Sequence, residues 1–151
     1  MHSPATYSRS SAALQPLQLT PLMVSGLLFP VNEAHPMFVS VQYRIRQSTG
    51  NPRPSLESLF RGAKPQKLII THRTDGTPLT FPLHVYHSAA AQATAACINS
   101  AIQHTALMTM ERCAFRWCGV MVALRYDGAR FVDAHQEDLE ALVEYFCTYS
   151  P

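Results

Sequence analysis

The chain has 151 residues, 47% of them apolar and only 15% charged, with a net charge of +2 at neutral pH. That length suits one domain with an appendage. The small net charge excludes a binder of nucleic acid that works by bulk charge, and no apolar run reaches the roughly 18 residues a bilayer span needs. So low a charge content, against about 25% in ordinary soluble proteins, implies that part of the surface is covered in an assembly.

Residues 1–35 read as an extended N-terminal arm, rich in Ser, Pro, Ala and Leu and without periodicity. Before Glu33 its only charged side chain is Arg9, an acid-poor composition that leaves a targeting role open. Residues 36–151 read as a single α+β domain. Met37–Arg46 is its clearest strand, with Met37, Val39, Val41, Tyr43 and Ile45 on one face at period two. Ser55 and Gly62 bracket a short helix, as N-cap and stop.

Lys67–Tyr86 predicts a hairpin turning at Asp75-Gly76, with Pro82 marking a sheet edge or an outward amide. A helix capped by Ser88 is expected to run to Met110. Residues 115–132 predict a second hairpin, turning at Asp127-Gly128, with Val120, Val122, Leu124 and Tyr126 inward. Leu139, Leu142, Val143 and Phe146 follow helical spacing, and Asp133 with Gln136 fits a capping box. From Lys67 onward the expected order is β-β-α-β-β-α.

Charge is segregated along the chain. Between positions 44 and 73 stand Arg44, Arg46, Arg53, Arg61, Lys64, Lys67 and Arg73, against the single acid Glu57. Between 127 and 144 stand Asp127, Asp133, Glu137, Asp138, Glu140 and Glu144, against the single base Arg130. The two groups either pair within one molecule or form complementary docking faces. In the second case Lys67, Arg73, Arg44 and Arg46 form the basic face, and Asp127, Glu137, Asp138 and Glu140 the acidic one. Gly76–Met110 carries no charged residue, so the outer side of its helix is a further candidate contact surface.

The stretch from Tyr126, Asp127 and Gly128 through Phe131 and Val132 to Glu137, Asp138 and Leu139 resembles the acidic motif of the Phox/Bem interaction family, and Lys67 stands where that family's strand-one lysine would. The turn carries one acid where the family usually has several. Spanning residues 67–149, the resemblance implies a ubiquitin-like β-grasp core, with an extra N-terminal strand and the arm, working as a non-enzymatic scaffold that associates head to tail.

Catalytic and metal signatures are weak. Cys97, Cys113, Cys118 and Cys147 form no CxxC pair, which fits free thiols in a reducing compartment. His104 precedes Cys113 without a recognisable nucleophile signature. His84 and His87 form HxxH with no Cys or acid nearby in sequence, short of the three or four ligands a metal needs. No phosphate-binding glycine loop is present. The expectation is a non-enzymatic, cofactor-free interaction module or structural subunit of a cytoplasmic assembly, binding a protein partner or itself. The alternative is an RNA-contacting subunit of a ribonucleoprotein particle, with a mitochondrial location. There the basic stretch, interleaved with Tyr43 and Phe60, meets single-stranded nucleic acid.

Overall fold

The computed structural model describes residues 21–94, 97–109 and 116–151. In chain order come β1 (Leu22–Phe29), β2 (Met37–Ile45), β3 (Pro52–Pro54), β4 (Gln66–His72), β5 (Pro78–His87), α1 (Ala89–Thr94), α2 (Ser100–Thr109), β6 (Met121–Tyr126), β7 (Phe131–Val132) and α3 (Gln136–Thr148). The strands join in the order β3-β2-β1-β6-β5-β4, with β7 beside β6, as a curled antiparallel half-barrel.

This topology corrects the β-grasp reading. Every strand pair is antiparallel, and the centre of the sheet is β1 against β6. β1 belongs to the segment read as an arm. Its Leu27, Leu28 and Phe29 pair with Ala123, Val122 and Met121. Both of its faces meet apolar cores, so the period-two signature of a half-exposed strand is absent. Gly26 lets β1 sit this close, because a Cβ there would lie 2.6 Å from Leu124 Cδ2 and 3.1 Å from the Ala123 carbonyl oxygen.

Side-chain alternation sends the strands' residues into two cores. Leu27, Phe29 and Val85 pack on one face of the sheet against Ile102 of α2 and Leu142 and Phe146 of α3. On the opposite face Val41, Tyr43 and Leu124 meet Leu56 and Phe60. These last two come from residues 55–63, which form a strap of tight turns rather than the expected short helix. Leu59 and Phe60 both donate to the Leu56 carbonyl, and Arg61 and Gly62 then turn the chain at φ 52° and 79°.

Three other expectations shift. Pro82 lies in an internal strand, not at an edge, but the ladder to β6 ends at Leu83 and that to β4 is irregular past Ile70, so no ladder donor is lost. Asp133 does not cap α3: its carboxylate accepts the Ser25 N–H at 2.8 Å and fastens β1. His135 takes the cap position instead, and its N–H donates to Asp138 at 2.7 Å.

The long helix expected after Ser88 is broken in two. Ser88 does cap α1, accepting the Ala91 N–H at 3.2 Å. The break falls at Asn99, which is 1% exposed. Its Nδ2 donates to the carbonyls of Phe29 at 2.7 Å and Gly119 at 2.8 Å. Its Oδ1 accepts the Ile102 N–H at 3.0 Å, capping α2. Its own N–H donates to the Trp117 carbonyl at 2.7 Å. One side chain thus ties the end of β1, the segment leading into β6, and the start of α2.

Asn99→Ala removes the bonds its side chain makes to two buried carbonyls and one buried N–H. Asn99→Asp keeps the cap but sets a carboxylate against both carbonyls. Each is expected to lower unfolding free energy by about 2–3 kcal/mol, read from urea midpoints. A change below about 0.5 kcal/mol for both would remove Asn99 from this role.

Candidate functional site

The basic residues of positions 44–73 do not form one face. Arg73 is withdrawn from it. Its guanidinium donates to Glu144 of α3 at 2.7 Å, and that hydrogen-bonded carboxylate raises its pKa further. Arg44 and Arg46 stay exposed and are joined by Arg53, because β2 pairs with β3 in a register that sets Arg44 directly opposite Arg53. Like charges directly opposite across two strands disfavour the pairing.

Arg46 and Arg53, with Lys64, line a cleft of about 370 Å³ whose wall includes Tyr86 and Glu57. Arg44, Arg46 and Arg53 border an adjoining depression of about 410 Å³. Among the described residues, the ion pairs involve Arg73, Arg125 and His135 and none of Arg44, Arg46, Arg53, Lys64 or Lys67. Lys67 is exposed on β4, opposite Tyr86. The run of basic residues pointed to Arg44 and Arg46. Arg53 and Lys64 become their neighbours only through the β2–β3 register and the strap.

Several of the acidic residues make bonds within the chain. Asp138 is a correction, since it is 5% exposed and no surface group. Its carboxylate accepts the His135 N–H and lies 3.9 Å from Arg125. Glu137 accepts from Arg125 at 3.2 Å. Arg125 is itself buried, with its guanidinium 5.0 Å over the Phe81 ring. Asp127 accepts the N–H groups of Arg130 at 2.7 Å and Ala129 at 2.8 Å, and these bonds hold its carboxyl below the usual range. Of the four acids expected to dock a partner, Asp127 and Glu140 are exposed without an ion pair among the described residues, and Glu137 is exposed but paired with Arg125.

Tyr43 and Phe60 are buried, so neither offers a ring for base stacking. His84 and His87 pair with Leu124 and Met121, whose opposite orientations send the two imidazoles to different faces of β5. They cannot share a metal. Among the described residues no group of three or more His, Cys, Asp or Glu side chains is placed to hold one. Cys118 is buried and Cys97 exposed, while Cys113 lies outside the described residues. No described helix is long and apolar enough to cross a membrane. The outer side of α2 is uncharged, with Leu107 and Met108 at 61% and 76% exposure. Comparison with protein-family models, curated proteins and solved structures gives no match.

His84 on β5 is buried, its ring 4.6 Å from that of Tyr126 and its Nδ1 without a hydrogen-bond partner. Burial, aided by the Lys67 charge, pushes its pKa down to about 4. The unfolded imidazole titrates near 6.5, so between the two values the unfolded chain binds the extra proton and stability falls as pH falls. From pH 7 to pH 5 the loss is expected to be about 2 kcal/mol. His84→Gln should remove most of this slope in urea titrations, and an unchanged slope would contradict the assignment.

Proposed function

We propose that this chain is a non-enzymatic interaction module of a larger assembly, which docks an acidic segment of a protein partner across the cleft lined by Arg46, Arg53 and Lys64 and the adjoining depression bordered by Arg44. The observation that carries this reading is the imbalance of the surface. The basic groups around the cleft have no ion partners among the described residues, while Glu137, Asp138 and Glu144 already answer Arg125 and Arg73 of the same chain. On this reading the acid that complements the cleft is supplied by a partner protein.

An arginine fork matches carboxylates in geometry as well as charge. Placing Arg44 across from Arg53 weakens the strand pair, a cost that an acidic ligand between them offsets. The uncharged outer side of α2 supplies a second, apolar contact through Leu107 and Met108. The reading as an RNA subunit loses its stacking rings and keeps only charge.

A fluorescent Glu-rich peptide and a single-stranded oligonucleotide of equal charge number separate the two. The peptide should bind the full chain, and Arg44→Glu with Arg53→Glu should weaken it at least about tenfold. Peptide binding indifferent to those changes overturns the proposal. So does an oligonucleotide that binds more tightly than the peptide with a steep salt dependence.

A further inference from the structure

The two edges of the sheet are treated differently. At one edge β3 reads Pro-Arg-Pro, and Pro52 and Pro54 lack the N–H groups that an added strand would use. Proline and charge on an edge are the usual defences against strand addition. At the other edge β4, Gln66–His72, is seven residues long and among the described residues pairs only with β5. Its middle, Leu68 to Thr71, contains no proline, glycine or charge, and Ile69 at its centre is 49% exposed.

We infer that β4 is a homodimerisation edge, on which a second copy of this chain adds its own β4 antiparallel about a two-fold axis at Ile69. Such an interface is isologous, so one sequence must complement itself. A two-fold at Ile69 pairs all seven residues of the strand. It sets Gln66 against His72 of the second copy, Lys67 against Thr71, and Leu68 against Ile70. The single lysine of the strand then faces a threonine and not its own equivalent. A two-fold one residue later would oppose Lys67 and Arg73, and one two residues earlier would oppose Lys67 to itself, both like-charge contacts that disfavour pairing. Charge thus disfavours axes at Lys67 and Ile70, and an axis at Leu68 would pair only residues 66–70 of the strand, so the axis at Ile69 covers the most strand without a like-charge contact. Ile69 meets its own copy across the axis and leaves water.

The inference is independent of the acidic-partner reading, because the cleft and the β4 edge bind different things. Sedimentation equilibrium of the full chain over a micromolar concentration series should give a mass approaching twice the 16.8 kDa of one chain. Ile69→Lys should return it to the single-chain mass. The half-exposed site leaves that variant folded, which circular dichroism checks. Under mild oxidation Ile69→Cys should give a covalent dimer well above the background set by the unsubstituted chain, whereas Thr71→Cys should not, since its neighbour across the axis is Lys67. A single-chain mass at every concentration overturns the inference, as does a dimer unmoved by Ile69→Lys or a crosslink favoured at position 71.

Discussion

The amide of Asn99 connects parts of the chain that are far apart in sequence. Its two donated bonds reach the carbonyls at the end of β1 and at Gly119, and its carbonyl caps α2. A buried polar group without partners is costly, and here each polar atom of the side chain is paired with a backbone group. The arrangement holds the start of β6 beside the end of β1, and from that contact the rest of the sheet extends both ways. α2 begins where it does because the cap fixes it, so Ala101 and Ile102 fall on the core side. Trp117, whose carbonyl bonds the Asn99 N–H, donates its indole N–H to the Phe146 carbonyl at 2.8 Å and draws in the end of α3.

With α3 docked in this way, the charge of the molecule is sorted. Arg125 on β6 is buried under the first turn of α3, where Glu137 and Asp138 answer it. Arg73 reaches Glu144 further along the same helix. These pairs engage three of the six C-terminal acids, Glu137, Asp138 and Glu144. The basic residues of β2, β3 and the strap have no such helix over them and face outward. A net charge near zero therefore conceals a surface with a concentrated basic patch, and such a patch orients an approaching acidic partner more than it adds affinity.

Several elements were legible from local pattern alone. β2 announced itself by strict alternation from Met37 to Ile45, the Asp75-Gly76 and Asp127-Gly128 turns marked both hairpins, and the spacing Leu139, Leu142, Val143, Phe146 marked α3. β1 was not legible, because a central strand buried on both faces shows a plain apolar run, and two flanking prolines made it look irregular. The break in the long helix was equally hidden. Alanine spacing continues through it, and the reason to stop lies in carbonyls contributed by Phe29 and Gly119, far away in sequence. At the site, the basic run revealed Arg44 and Arg46, but the Arg44–Arg53 pairing depends on strand register. The acidic run was visible too. Which way its members point depends on Arg125, a lone basic residue in an otherwise apolar strand.

The account stands on β1 being the centre of the sheet, since the order of strands, the two cores and the exposed basic edge all follow from it. Amide hydrogen exchange of the full chain tests that most directly. The amides of Gly26 to Phe29 should be protected to the same degree as those of Val122 to Leu124 and should exchange only with global unfolding. Fast exchange from residues 22–29, while 121–126 stay protected, would show a peripheral arm and contradict the account.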